Sequence, residues 1–274
     1  MSGKLTPNGS GDDPWARFRS ATRARIGLDR CGDSISTAAL LAFQLAHAHA
    51  RDAVHGVVDF AAIAARIGSG RPVLRVHSDA PDRAGYLRRP DLGRRLNDAS
   101  RARLAAERVA EAWDVVFVIA DGLSSAAVND HAVATLLACL DLLPGWRVGP
   151  VVMAEQARVA LADEIGALLN TRLVAILIGE RPGLSVANSL GIYLTWDPRP
   201  GRRDSERNCI SNIHADGLSY DQAARKLSWL LAEALRLRLS GVALKENAEP
   251  AEFPGRDSST CLEHPKEKGD THHV

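Results

Sequence analysis

Nowhere in these 274 residues does an apolar run approach the ~20 residues that a membrane-spanning helix needs. The opening stretch, Met1 to Asp13, is polar and Gly-rich and lacks the apolar centre of a signal peptide. Charge of one sign is not in excess either. Lys and Arg together number 34 against 33 Asp and Glu, so no field draws the chain to nucleic acid or to an anionic membrane. The four cysteines (Cys31, Cys139, Cys209 and Cys261) are scattered and form no C-x-x-C pair. That speaks against a zinc knuckle and a disulfide framework, and it fits the reducing cytoplasm. Gly68-Ser69-Gly70 lacks the third glycine, the preceding strand and the later acid of a dinucleotide fingerprint, and no P-loop, zincin motif or G-x-S-x-G elbow occurs.

Both ends, Met1 to about Pro14 and about Gly241 to Val274, are rich in Gly, Pro, Ser, Lys and Glu and read as disordered tails. The closing histidines belong to the second tail rather than to a metal site. Residues 15–100 read as a largely helical region, with an Ala/Leu-rich helix around Thr37 to His47 and a short strand at Val73 to His77. His47 and His49 stand two apart on that helix, point to different faces and cannot chelate together. Gly32-Asp33-Ser34-Ile35 resembles the serine block of one esterase family, yet no buried strand precedes it; Asp33 or Ser34 is expected to cap a helix instead.

The rhythm changes after a helix expected from Arg101 to Trp113. Val115 to Ala120 is a continuous β-branched and aromatic run, which suits a strand covered on both faces. Then come a helix from Asn129 to Leu143, a strand from Val148 to Met153, a helix from Ala160 to Leu169 and strands at Leu173 to Ile178 and Gly191 to Thr195. A long helix, Tyr220 to Leu239, closes the series. This alternation over residues 101–240 predicts an α/β fold: a Rossmann-like, doubly wound, mostly parallel sheet carrying a helical N-terminal arm. Ligands in such sheets bind at the carboxyl ends of the strands, where Asp121-Gly122-Leu123-Ser124 and Gly179-Glu180-Arg181-Pro182-Gly183 form turns.

Several stretches together resemble the small-subunit family of ethanolamine ammonia-lyase. They are Leu41 to His47, Tyr86 to Leu96, Ala120 to Ser124, Arg158-Val159 leading to Asp163-Glu164-Ile165-Gly166, Gly179 to Leu184 and Arg207 to Ile213. The resemblance runs from about Thr22 to Ser240. It implies a subunit of an enzyme that converts ethanolamine to acetaldehyde and ammonia by a radical mechanism initiated by adenosylcobalamin. The partner it implies is a large, barrel-shaped subunit that holds the substrate, within a higher hetero-oligomer. It also implies that Val159, Glu180 and Cys209 contact the cofactor, with no catalytic residue and no metal ligand in this chain. The location implied is cytoplasmic, with enclosure in a bacterial microcompartment left open. The residues alone also fit a stand-alone Rossmann-like cofactor-binding module with no catalytic partner. They equally allow Glu180 as a turn acid, Cys209 as a packed thiol and Val159 as a core residue. Two positions depart from the family pattern: Asp29 stands where Gly is usual, and Asn170-Thr171 where Gly-Ala is usual. Asn170 is expected to take the left-handed cap conformation in place of Gly.

Overall fold

The computed structural model describes residues 14–28, 30–31 and 33–245. Asp29, Gly32, Cys261 and the terminal histidines lie outside the described residues. The N-terminal part comprises α1 (Ala16–Ala21), a hairpin of β1 (Arg30–Cys31) and β2 (Ser34–Ile35), α2 (Thr37–His55) and α3 (Phe60–Ile67). The cap expected at Asp33 or Ser34 is made further on. Ser36 Oγ accepts the Ala39 N–H at 3.3 Å, while Ser34 pairs with Cys31 in the hairpin. Ala53 is the one buried residue of α2; Leu41 and Leu45, four apart on one face, are each 58% exposed. The helix is fastened at its last turn, where Ser125 Oγ donates to the Ala53 carbonyl at 3.1 Å. It is an arm in the sense the sequence suggests.

The sheet has six strands in the order β3-β5-β4-β6-β7-β8: β3 (Val73–His77), β4 (Trp113–Ala120), β5 (Val151–Glu155), β6 (Thr171–Gly179), β7 (Leu190–Trp196) and β8 (Arg207–Ile213). Only β7 runs against the others, so the sheet is mostly parallel, as the sequence predicts. β3 precedes residue 101, where the expected Rossmann-like part begins, yet it pairs with β5 along its whole length. The sheet thus takes its edge strand from the region read as helical. β8 is a strand that the sequence reading passes over. Arg207-Asn208-Cys209-Ile210-Ser211-Asn212 has neither an apolar run nor strict alternation, and its register is interrupted by an irregularity opposite Leu190 and Ile192.

The connecting helices are α4 (Arg83–Arg88), α5 (Asp98–Ala106), α6 (Ser125–Asp141), α7 (Leu161–Leu169) and α8 (Tyr220–Leu237). The helix expected to reach Trp113 ends at Ala106, and Trp113 opens β4, its N–H donating to the Asn170 carbonyl at 2.9 Å. Asn170 explains the early stop: its side-chain amide donates to the Val109 and Ala110 carbonyls at 3.0 and 3.1 Å, holding this segment extended. Asn170 also takes the left-handed conformation expected of it, at φ 56°.

β4 divides its side chains between two cores by simple alternation. Val115, Phe117 and Ile119 pack with α3, α6 and α8, whereas Val116, Val118 and Ala120 pack with α5 and α7. The helices on the second face cover β3 to β6 and stop at α7. Tyr193 of β7 and Cys209 of β8, paired across the strands on that face, are therefore left half-buried and exposed respectively. An uncovered strip of sheet beside the start of a helix is where a site can form.

Candidate functional site

Three turns meet at the carboxyl edge: after β4, after β5 and after β6. Asp121 binds the first two together. Its Oδ1 accepts the N–H groups of Gly122 and Ala157 at 2.8 and 2.9 Å, and its Oδ2 accepts that of Gln156 at 2.8 Å. Burial pushes this carboxyl above its usual range, against the pull of those N–H groups and of Arg83. With its oxygens engaged inside the protein, Asp121 acts as a clasp rather than as a ligand group. The turns after β4 and β6 approach backbone to backbone. A Cβ on Gly122, which lies at φ 57°, would meet the Gly179 carbonyl oxygen at 2.3 Å, so only glycine fits there.

Glu180 follows β6 directly. Its Oε2 accepts the Ser189 hydroxyl at 2.6 Å and the Asn212 N–H at 3.4 Å, and no donor among the described residues meets Oε1. Val159 lies in the turn between β5 and α7. Cys209 sits on β8 opposite Tyr193. Desolvation by the surrounding wall, with the Glu180 charge adding to it, raises the Cys209 thiol even at this exposed position, and the tyrosine hydroxyl pulls it back down. Burial likewise raises the Tyr193 phenol, and the charges of Cys209 and Glu180 act in the same sense.

These residues line two adjoining depressions open to solvent. The first, of about 450 Å³, includes Val159, Tyr193, Cys209, Arg94, Arg158 and Arg207 in its wall. The second, of about 440 Å³, includes Val159, Glu180, Tyr193, Tyr86 and Arg158. The three residues singled out in the sequence are thus brought to one place, with Arg158, Val159 and Tyr193 shared between the two depressions.

The sequence reading passes over the residues that build the wall. Tyr86 is fully buried, its hydroxyl donating to the Ala157 carbonyl at 3.1 Å and its ring lying between the guanidiniums of Arg158 (4.3 Å) and Arg83 (4.8 Å). Arg83 in turn donates to the carbonyls of Val54 and Gly122, both at 2.8 Å, and so ties the base of α2 to the site. Arg207 makes a bidentate pair with Asp163 of α7, both bonds at 2.6 Å, and also donates to Thr195 Oγ1 at 2.9 Å. Burial raises the Asp163 carboxyl, while Arg207 draws it down. Arg207 and Asp163 stand 44 positions apart, and nothing local in the sequence pairs them. The signal for Tyr86, Arg94 and Arg158 lay in the stretches that carry the resemblance, where they are neighbours of the residues chosen.

The depressions are complemented by comparison with known proteins. The family model described as ethanolamine ammonia-lyase light chain (EutC) matches residues 12–245. A protein of Pseudomonas syringae pv. tomato named ethanolamine ammonia-lyase small subunit is 49% identical over 261 residues, covering 93% of this chain and 91% of that relative. Proteins of the same name from Pseudomonas aeruginosa and Xanthomonas campestris pv. campestris are 49% identical over 265 residues and 51% over 249. They cover 95% and 89% of this chain and 97% and 92% of their own lengths. Together the match of the family model and the identity with these relatives place the chain in the ethanolamine ammonia-lyase light chain family.

Proposed function

We propose that this chain is the small subunit of an ethanolamine ammonia-lyase and supplies one wall of the adenosylcobalamin site, while a large subunit holds ethanolamine. The observation that carries this reading is the meeting of Val159, Glu180 and Cys209 around two adjoining depressions at the carboxyl edge of the sheet. Cobalamin is too large for either depression alone, and both are open, which suits a ligand held between two chains. The donor set fits as well. Glu180 is held by Ser189 and Asn212 through Oε2, and Oε1 remains to accept hydrogen bonds from corrin amides. Val159 and the ring of Tyr193 offer apolar packing. When bound, the cofactor supplies the radical through homolysis of its cobalt–carbon bond. This chain's part is to bind and orient it and to keep water from that side.

Glu180→Gln is expected to weaken cobalamin binding by ~1–3 kcal/mol, the range of a charge-assisted hydrogen bond, and to leave substrate affinity nearly unchanged. Cys209→Ala removes packing and should cost less. Titration of the complex with hydroxocobalamin measures both, and an unchanged affinity in Glu180→Gln returns that residue to the role of a turn acid.

The cofactor is expected to keep its own benzimidazole below cobalt. His214 comes nearest to the Asp-x-His-x-x-Gly pattern that supplies a replacement imidazole, with Asn212 in place of the Asp and Gly217 following. Its ring is engaged at both nitrogens, Nε2 against Asn212 Oδ1 at 2.8 Å and Nδ1 accepting the Asp216 N–H at 3.3 Å. Electron paramagnetic resonance of the cobalt(II) complex should be indifferent to nitrogen-15 labelling of histidine. A coupling pattern that follows the label would assign the lower ligand to an imidazole.

A further inference from the structure

The first depression carries more positive charge than a neutral ligand requires. Arg94 projects into it and has no ion-pair or hydrogen-bond partner for its side chain among the described residues. Arg158 stacks on Tyr86, makes only a long 3.4 Å bond to the Tyr86 carbonyl, and its Nε is buried without an acceptor. Arg207 is nine-tenths buried, and its Nε also lacks a hydrogen-bond acceptor, with Asp204 Oδ1 at 3.5 Å as the nearest carboxylate oxygen. The acids nearby are accounted for. Asp163 is taken by Arg207 and Glu164 by Arg101 at 2.7 Å, and Asp204, the one acid lining the depression among the described residues, faces solvent with 82% of its side chain exposed. Val159 and Ala160 line the same depression, and their N–H groups meet no acceptor among the described residues. Ala160 is the cap position of α7, and its methyl cannot accept a hydrogen bond at that end. The guanidiniums of Arg94 and Arg158, which meet no carboxylate among the described residues, stand beside the start of α7 and, with the remaining Nε–H of Arg207, suit a tetrahedral oxyanion.

We infer that the depression formed by Arg94, Arg158, Val159, Ala160 and Arg207 seats a phosphate group, and that the group is the phosphodiester of the cofactor's nucleotide loop. The identification with the cofactor rests on the function proposed above. The corrin amides of cobalamin are neutral and need no arginine, whereas the nucleotide loop bears one full negative charge in a diester. Val159 and Cys209 line this depression and so place the cofactor's edge beside the arginines.

The test uses the complex with its large subunit and three probes: cobinamide, which lacks the phosphate, cobinamide phosphate, which adds it alone, and inorganic phosphate. The wild-type complex should bind cobinamide phosphate about tenfold more tightly than cobinamide, the worth of one charge-assisted contact. Arg94→Gln and Arg158→Gln should each shrink that gap, read as the ratio of the two affinities within each variant, and Arg236→Gln, on the exposed face of α8, should preserve it. Arg94 is exposed, so its replacement reads out even where loss of the Tyr86 stack perturbs Arg158→Gln. Equal affinity for the two corrinoids in the wild type, or a gap that survives both substitutions, overturns the inference alone. Failure of the complex to bind cobinamide at all overturns the cofactor reading and the inference with it. Inorganic phosphate binding as tightly as cobinamide phosphate assigns the depression to a free solute and overturns its assignment to the cofactor.

Discussion

Replacing Arg207 with Met should destabilise the fold by about 3–5 kcal/mol, the cost of leaving one member of a buried ion pair without the other. Arg207 and Asp163 are each only 2% exposed at the side chain, and the pair joins β8, the last strand, to α7 on the face that the helices otherwise leave open. Without the guanidinium, the Asp163 carboxylate is stranded among apolar groups. Burial already raises this carboxyl, so the variant should take up a proton and lose its remaining stability as pH rises and the acid is forced to ionise. The double variant Arg207→Met/Asp163→Leu should recover much of the loss, because it removes both charges instead of one. Urea unfolding of the three variants measures this. A double variant as unstable as Arg207→Met would show that Arg207 acts through its other bonds, to Thr195 and to the Arg202 carbonyl.

The second large effect is on activity. Expressed alone, the chain should release no ammonia from ethanolamine, and it should be poorly soluble. Leu40, Leu41, Phe43 and Leu45 on α2 are each exposed in the monomer. Co-expression with the large subunit should restore both turnover and solubility. Replacing Leu41 and Leu45 with Gln should improve the solubility of the isolated chain and weaken assembly. Turnover by the purified single chain would refute the division of labour between subunits.

The parallel core was legible because its central strands carry runs of β-branched and aliphatic residues buried on both faces, as Val115 to Ala120 and Leu173 to Ile178 show. Its carboxyl edge was legible too, since Gly122 and Gly179 mark the two turns that must pass within backbone contact. What escaped notice follows from the same physics. β8 stands at the edge of the sheet, where only one neighbour and one face constrain its residues, so polar Asn208, Ser211 and Asn212 carry no strand signal. Trp113 reads as the end of a helix because β4 begins with the half-buried pair Trp113-Asp114 before its apolar run. Among site residues, Val159, Glu180 and Cys209 came from the resemblance, and the fold brings them together from three separate turns and strands. The arginines around them became visible only once long-range pairing showed which were engaged and which were not. Arg207 is paired with a residue 44 positions away, while Arg94 meets no hydrogen-bond or ion-pair partner among the described residues.

The central claim, that this chain forms one wall of a cobalamin site shared with a large subunit, is tested most directly by equilibrium binding of hydroxocobalamin. The large subunit alone, this chain alone and the complex of the two are titrated in parallel. Tight binding should appear only in the complex, and Glu180→Gln in this chain should weaken it by ~1–3 kcal/mol. Binding to the large subunit alone as tight as to the complex would contradict the account.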